Sequence, residues 1–159
     1  MVYQATEEVV AIEQPVVAVE QVKAPLSVFS NKDIEKAEGL ALKQEQVEAP
    51  LHHAFAPGVY LRQVVMPKGA MIIGHEHKTE HFNIVLSGHA SVLMNGEVQE
   101  IKAPSIFVSK AGVRKVLLIH ETMIWATIHP TNETQIERLE EELIIKSETF
   151  QNHQKEIAK

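Results

Sequence analysis

The sequence predicts an all-β fold of the sandwich or barrel type. Between residues 59 and 128 it contains eight short runs rich in Val, Ile, Leu and Phe, and turn residues separate them at close spacing. One of these turns is Asn95-Gly96 between two alternating apolar runs, which is the strongest short signal for a β-hairpin. A chain of 159 residues is one domain by length and can bury a substantial core.

The predicted strands are 59–66, 70–73, 82–86, 90–94, 98–101, 105–109, 115–119 and 123–128. Most of them end at residues that disfavour extended chain. A Pro-Lys-Gly turn follows the first strand, Ser87-Gly88 ends the third, and 120–122 is read as a turn between the last two. These strands place the barrel at residues 49–130.

A short helix is predicted before the barrel, within residues 30–48. Ser30 and Asp33 form a helix-start signature, and Ile34, Ala37 and Ala41 fall on one side of the helix. Residues 1–29 are rich in Val, Glu, Gln, Ala and Pro and are predicted to be an extended or disordered arm. Such an arm either has no role or docks on a partner subunit.

A second helix is predicted within residues 131–159. Ile136, Leu139, Leu143 and Ile144 form an apolar stripe at helical spacing, with the acidic run 140–142 on the solvated side. The residues after Ser147 are polar and are predicted to form a loose tail.

Composition excludes several classes of function. The formal charge of −6 argues against partners bound through net charge, which are nucleic acid and anionic membranes. The absence of cysteine excludes disulfides, thiolate metal sites and cysteine nucleophiles. No apolar run reaches the roughly 20 residues that span a bilayer, and the N-terminus lacks a basic signal region. We therefore expect a chain that no signal peptide exports.

The candidate site is a cluster of three histidines, His75, His77 and His81, within seven residues. Imidazole is the commonest protein ligand for divalent transition metals. The i, i+2 spacing of His75 and His77 points both side chains to one face only if the chain is extended there. His81 then returns from the start of the next strand. The cluster predicts a metal site on adjacent strands.

The stretch Gly69-x5-His75-x-His77-x3-His81-x6-Gly88 resembles the first motif of the cupin superfamily, Gly-x5-His-x-His-x3,4-Glu-x6-Gly. The spacing agrees at every step, and the departure is His81 where cupins usually carry Glu, with Glu80 beside it. The resemblance covers about residues 55–129. It implies a jelly-roll barrel with a divalent transition metal (Zn, Fe, Ni or Mn) inside its mouth. His75, His77 and His81 are then the expected ligands.

The region of the second cupin motif, residues 96–119, is degenerate. Ala111-Gly112-Val113 resembles the motif's turn, but the position of its ligand histidine falls on Lys115. A charged lysine opposes a metal if it points inward. Either Lys115 turns outward and leaves the histidines with water, or the site holds no metal and forms a small cationic pocket for a carboxylate or phosphate.

Several other residues are weighed as ligands or neighbours of the site. Glu76 and Glu80 are alternative ligands, and Asn83 shares strand parity with His81 and is expected to hydrogen-bond a ligand or a ligating side chain. Arg62 is expected outside, as a solvated edge residue, while Trp125 and Phe107 are expected in the core. Among the remaining histidines, His52, His53, His89, His120 and His153 are read as surface or loop residues, and His129 is not included among the ligands.

Three functions remain open at this stage. The first is a metal-binding protein that acts as a binding or assembly module, without established catalysis. The second is a mononuclear metal-dependent enzyme such as an oxygenase, an isomerase or a sugar-modifying cupin. The third is a structural protein whose histidines pair with Glu76 and Glu80.

The chain also resembles, more narrowly, the single-domain cupins encoded by tailed bacteriophages. The shared features are the early helix, the strand start His81-Phe82-Asn83-Ile84 and the helix start Asn132-Glu133-Thr134. This resemblance implies a homo-oligomer, other phage proteins as partners, and a location in the host cytoplasm or the virion.

Overall fold

The computed structural model of the chain describes residues 14–18 and 30–159. Ten strands and three helices lie in these ranges. The strands are β1 Val16–Ala18, β2 Leu51–Ala56, β3 Val59–Met66, β4 Ala70–Ile73, β5 Glu76–His77, β6 His81–Met94, β7 Glu97–Lys102, β8 Ser105–Ser109, β9 Val116–Pro130 and β10 Ile144–Ile145. The helices are α1 Asn31–Ala41, α2 Ile136–Leu143 and α3 Glu148–Ile157.

The long strand β9 organises the eight-stranded antiparallel sheet. One edge of β9 pairs with β6 over most of its length, and the other edge pairs with β4 at its start and β3 at its end. β6 in turn pairs with β8 through its first half and with β7 through its second half. β2 extends the sheet beyond β3, and β1 extends it beyond β4.

The sheet bends near the middle of β6. The pairing register between β6 and β9 shifts between Val85 and Ser87, between Ser87 and His89, and again between His89 and Ala90. Gly88 lies at this bend with a φ of +88°, and a Cβ built there would lie 2.4 Å from the Thr122 carbonyl oxygen. Glycine is therefore required, because the two backbones approach too closely for a side chain.

Two turns predicted from the sequence are wrong, and both lie at this bend. Ser87-Gly88 and residues 120–122 were expected to end strands, but β6 and β9 continue through both places with bulges. A β-bulge bends a strand and raises its twist without ending it, so the local turn residues produce curvature here. The predicted pairs 82–86 with 90–94 and 115–119 with 123–128 are thus two long strands, not four short ones.

The all-β prediction with helices on both sides is confirmed. The Asn95-Gly96 hairpin joins β6 to β7, and both residues have positive φ, 55° and 78°, as a type I′ turn requires. The sequence reading missed β2, which holds His52 and His53 and pairs with β3.

The main core lies between the two halves of the folded sheet. The larger cluster takes Val64, Trp125 and Met123 from one half and Val92 and Leu117 from the other. Side chains of alternate residues point to opposite faces of a strand, so each half contributes one apolar face. Trp125 is buried as predicted, and Phe107 packs against the same cluster.

The helices cover parts of the sheet that would otherwise expose apolar side chains. Ile34 and Ala41 of α1 pack with Met71, Ile73 and Leu93 on the outer face of the β4–β9–β6 half. α2 lies at the opposite end, where Leu139 and Leu143 pack on Tyr60 of β3.

Two flanking regions differ from their predictions or lie outside the described part. The tail after Ser147 is the helix α3, which Ser147 caps by accepting from the Phe150 amide, and Phe150 is 1% exposed. The burial of Phe150 and the hydrogen bonds from Ser147 and Thr149 to Glu38 and Glu35 of α1 hold a segment whose composition alone predicts a loose tail. Of the expected arm, residues 1–13 and 19–29 lie outside the described residues, and 16–18 form β1.

No described helix has both the length and the apolar character needed to cross a bilayer.

A buried ion pair connects α1 and α3 with the segment before the histidines. Glu38 of α1 is fully buried and accepts hydrogen bonds from the Arg114 guanidinium and from Ser147 Oγ. Arg114 also donates to the Gly74 carbonyl at 2.8 Å. The carboxylate thus satisfies a buried cation and a helix cap at once, which is the condition under which a buried charge is tolerated.

Replacing Glu38 with Gln should lower the free energy of unfolding by about 3–5 kcal/mol, because Arg114 would keep a buried charge without its counterion. Urea unfolding followed by circular dichroism measures this. The matched control is Glu80→Gln, which removes a carboxylate from the exposed pair with Lys110 and should cost less than about 1 kcal/mol. Equal losses in the two variants would contradict the role given to Glu38.

Candidate metal centre

The inward faces of three neighbouring strands supply most of the polar groups of the candidate site. Thr127 of β9 lies opposite Arg62 of β3 on one side and Asn83 of β6 on the other. Because alternate residues share a face, His129 and His81 point to the same side as Thr127 and Asn83. All of these except Arg62 are buried, and Arg62 is half-buried.

His77 reaches the same place from the short strand β5. β5 pairs with β10 after α2, and the Gly112 amide donates to the His77 carbonyl at 2.8 Å. His77, His81 and His129 each offer one ring nitrogen, and these three atoms lie within 4.8 Å of one another. Two of the three predicted ligands are therefore brought together, and the third member of the group is His129.

A hydrogen bond assigns the free nitrogen on one of these rings. His81 Nδ1 lies 3.1 Å from the Thr79 carbonyl, which can only accept, so Nδ1 carries the proton and Nε2 keeps its lone pair. His129 Nε2 lies 3.1 Å from Thr127 Oγ1. Within the described residues, His77 Nδ1, His81 Nε2 and His129 Nδ1 are buried and have no hydrogen-bond partner. Three buried orphan nitrogens are the arrangement that an ion would satisfy.

The rings are stacked in their present geometry. The His77 and His129 rings lie 5.3 Å apart with an angle of 2° between their planes, and the His77 and His81 rings lie 4.2 Å apart at 28°. Ligands of a tetrahedral ion lie about 3.3 Å from one another, and their lone pairs converge in the ring planes. Binding of an ion therefore requires the rings to rotate about their Cβ–Cγ bonds.

His75 does not join this group. It is 6% exposed and its ring meets the Phe150 ring edge-on, with centroids 4.6 Å apart. His75 lies just before the two-residue strand β5 and lines the same cavity as His77, but the expected i, i+2 pair is not part of the converging group.

His129 carried a sequence signal that was not used. Trp125, Thr127 and His129 alternate with Ile124, Ala126 and Ile128, so His129 shares a face with the core residue Trp125. Because His129 lies on the core-facing side of its strand, it is a stronger ligand candidate than its position before Pro130 suggests.

Burial keeps the three histidines neutral. Desolvation lowers the pKa of His77 to about 2, and the positive charges of Lys115 and Arg62 lower it further. Desolvation likewise lowers the pKa of His129 to about 3. It lowers the pKa of His81 too, although the hydrogen bond to Thr79 opposes this. Neutral imidazole is the form that binds a metal.

Lys115 points inward and is not solvated outside. It is 8% exposed and lines the same cavity as His77, Asn83 and Thr127. Burial lowers the pKa of Lys115 to about 8, so the ammonium still predominates at neutral pH. Among the described residues no carboxylate forms an ion pair with it. Lys115 therefore points inward, as in the second predicted arrangement, while the expectation in that arrangement that no metal binds stays a prediction.

The carboxylates weighed as alternative ligands lie apart from the group. Glu80 is exposed and pairs with Lys110, and Glu76 of β5 is half-buried beside Gly112. Asn83 serves a different purpose: it donates to Ser109 Oγ at 2.9 Å and accepts from Trp125 Nε1 at 3.1 Å. It braces the strands around the site.

Two further residues are placed differently from their predictions. Arg62 faces the cavity and not the solvated edge. His53 is buried, and its Nδ1 lies 2.7 Å from the Tyr60 hydroxyl, whose ring stacks on His129. Both are connected with strand β2, which the sequence reading missed: β2 pairs with the edge of β3, so that β3 is not an edge strand and His53 lies opposite Arg62.

A cavity leads from the surface to the histidines. One part, with room for about 50 Å³ of water, lies between α2 and the residues Tyr60, His77 and His129. A second part of about 60 Å³ adjoins it at Arg62 and His77 and is lined by Lys115. The second part has no carboxylate among its described lining residues, and the first has only Glu140. The site is therefore reachable and cationic.

No protein-family model matches this sequence, and no curated protein matches it either. Solved structures with a similar fold include cupins. An RmlC-like cupin from Shewanella frigidimarina is 18% identical at a TM-score of 0.46, over 54% of this chain and 78% of that one. The Cnp3 cupin domain of Schizosaccharomyces pombe is 18% identical at 0.45, over 54% and 67%.

A predicted oxalate decarboxylase from Thermotoga maritima is also similar, at 14% identity and a TM-score of 0.46 over 54% of this chain and 84% of that one. At these identities and TM-scores the overlaps carry no information about activity. The function has to be argued from the residues themselves.

The metal-free protein should lose stability as the pH falls from 7 to 5. The pKa of His77 is below its unfolded value of 6.5, so the unfolded chain binds more protons throughout this range and acid favours unfolding. One such group costs about 2 kcal/mol between pH 7 and 5. Urea unfolding in the presence of a chelator measures the loss.

The pH dependence separates His77 from the other titrating groups. His77→Gln should reduce the stability lost between pH 7 and 5 by roughly the contribution of one group. His153→Gln on α3 should leave that loss unchanged. Parallel pH profiles for wild type and His77→Gln would contradict the burial of an uncharged His77.

Proposed function

We propose that this chain is a metal-binding protein that holds one divalent transition metal on His77, His81 and His129. Two observations carry the proposal. One ring nitrogen from each of the three histidines lies within 4.8 Å of the others, and each ring has one buried nitrogen without a hydrogen-bond partner among the described residues. Leaving such atoms unsatisfied costs free energy, and coordination offsets that cost.

The donor set favours Zn, Fe, Ni or Cu among the common ions, whereas Mn, which was also expected from the sequence, prefers oxygen ligands. Three neutral imidazoles suit borderline metals, and three protein ligands leave coordination positions open, as in sites that bind a small molecule at the metal. A bound ion of this type supplies Lewis acidity to a ligand oxygen. The chain's own groups hold the ion, narrow its access and place two cations beside it.

The second part of the proposal concerns the ligand, which is a small organic anion with a carboxylate group. Arg62 and Lys115 line the inner cavity, and no described carboxylate lines it with them. A buried ammonium without a counterion is costly, and an anionic ligand would offset that cost. The protein then acts as a binding module for a metal and an anion together.

The ligand assignment is tested by comparing two histidine variants. His129→Ala should remove one metal equivalent that the tag-free wild-type chain retains after dialysis, because it removes one of three ligands. His75→Ala should retain that equivalent, since His75 packs on Phe150 outside the group. Elemental analysis of protein purified from metal-supplemented medium measures both.

Two outcomes would end the metal proposal. One is a wild-type chain without near-stoichiometric metal, and the other is a His77→Ala variant whose metal content and metal affinity equal those of wild type. If His75→Ala loses the metal and His129→Ala retains it, the ligands are His75, His77 and His81, as the sequence pattern predicts.

Lys115→Met tests the anion. The variant should bind Zn²⁺ more tightly, because a cation facing the site is gone, and should lose the thermal stabilisation that succinate gives the wild-type protein. Thermal denaturation in succinate and isothermal titration with Zn²⁺ measure the two effects. Lys110→Met removes an exposed cation and should change neither. Succinate stabilisation that survives in Lys115→Met would contradict the cationic pocket.

A mononuclear metal enzyme is the second candidate, and the open cavity that reaches His77 and His129 favours it. An enzyme of this kind needs a proton-transferring group within reach of its substrate. Glu140 at the cavity mouth is the described carboxylate nearest to that role. Turnover that Glu140→Gln abolishes without loss of metal would favour the enzyme.

The biological setting rests on the sequence resemblance to phage cupins. We carry forward a homo-oligomer and other phage proteins as expected partners, in the virion or the host cytoplasm. Light scattering of the purified chain and mass spectrometry of purified virions are the corresponding measurements.

A further inference from the structure

A second cluster of metal-ligating side chains lies on the outer surface, away from the cavity. His89 of β6, Glu100 of β7 and His120 of β9 each offer one ligand atom, and the three atoms lie within 4.8 Å of one another. Histidines 89 and 120 were read from the sequence as surface or loop residues, without a role.

The geometry of this cluster comes from the bend in the sheet. His89 pairs with Glu121 while the next residue, Ala90, pairs with Ile119, so His120 is the extra residue of a β-bulge. A bulge redirects a side chain, and here the His120 ring comes within 4.9 Å of the His89 ring. Glu100 arrives from the other side of β6, where it lies opposite Ser91.

The three side chains are already held close together. His89 Nε2 lies 2.5 Å from Glu100 Oε2, and His120 Nε2 lies 3.9 Å from the same oxygen. Ser91 donates to Glu100 Oε1, and its Oγ lies 2.6 Å from His120 Nε2. Ligands of a zinc ion are about 3.3 Å apart, which falls between the two nitrogen–oxygen distances.

We propose that His89, Glu100 and His120 form a second site for a divalent transition metal, which links β6, β7 and β9 at the bend of the sheet. Two imidazoles and a carboxylate are a donor set that binds Zn²⁺ with a position left for water. The ion would bind Nε2 of each ring, where a proton now donates a hydrogen bond. Each ring would then carry its proton on Nδ1. This site is independent of the buried histidines.

Neighbouring charges act in both directions on this site. Lys102 of β7 lies opposite His89 and opposes a cation, while Glu121 of β9, also opposite His89, favours one. Both are exposed, so solvent screens them and the three ligands dominate.

The experiment is a titration of the tag-free full-length chain with Zn²⁺, followed by calorimetry and elemental analysis. His120→Ala and Glu100→Gln should each remove one binding equivalent. Ser91→Ala, which leaves the ligands but removes the Ser91 hydrogen bonds to Glu100 and His120, should weaken that equivalent by about 10-fold or more. His153→Ala is the matched control and should bind as wild type does.

The buried site is distinguished by its own variant. His129→Ala should keep the surface equivalent, and Zn²⁺ should still raise the melting temperature of this variant. The double variant His120→Ala, His129→Ala should lose both effects. The surface proposal is overturned if the zinc titration of His120→Ala superposes on that of wild type, or if Zn²⁺ stabilises the double variant as much as it stabilises His129→Ala.

Discussion

The pairing of β6 with β9 is the constraint on which the rest of this molecule depends. Two strands of 14 and 15 residues are bonded through most of their length, and every other large strand of the sheet pairs with one of them or with a strand that does. Their shared register sets which residues face the cavity. It also sets where the sheet must bend, because both strands bulge near Gly88.

The bend separates two environments along the same two strands. On one side of it, the inward positions carry His81, Asn83, Thr127 and His129, which line a polar site. On the other side, inward positions carry Val92, Leu117 and their neighbours in the main core. Asn83 and Thr127 are hydrogen-bonded there, and one nitrogen each of His81 and His129 is too. These bonds and the opening of the cavity to solvent lower the cost of burying the polar groups.

The helices have a supporting role that links them to the site. α3 presses Phe150 on His75, while the Glu38–Arg114 pair holds α1, α3 and the Gly74 carbonyl together. The segment that carries His77 is therefore braced from both ends, since β10 also pairs with β5. Such bracing matters for a site that is built on a strand of only two residues.

Lys115 distinguishes this site from a metal site that is formed by three histidines alone. Its ammonium occupies the cavity wall near His77 and lowers the pKa of that ring. A cation beside a metal site lowers the affinity for the metal ion but attracts an anionic ligand. Binding of the metal and binding of the anion are therefore coupled through the Lys115 side chain. Arg62 adds a second positive charge on the same wall.

The sequence by itself determined the all-β class, the Asn95-Gly96 hairpin and the helices α1 and α2. It also indicated that His81 returns to His77 from the start of the next strand. Those features depend on local alternation, turn chemistry and helix periodicity, which act within a few residues. Only the tertiary structure decided that His129 replaces His75, that Arg62 and Lys115 face inward, and that His89, Glu100 and His120 meet. Alternation shows which residues share a face of one strand, but not which strands become neighbours or where a bulge reverses the face.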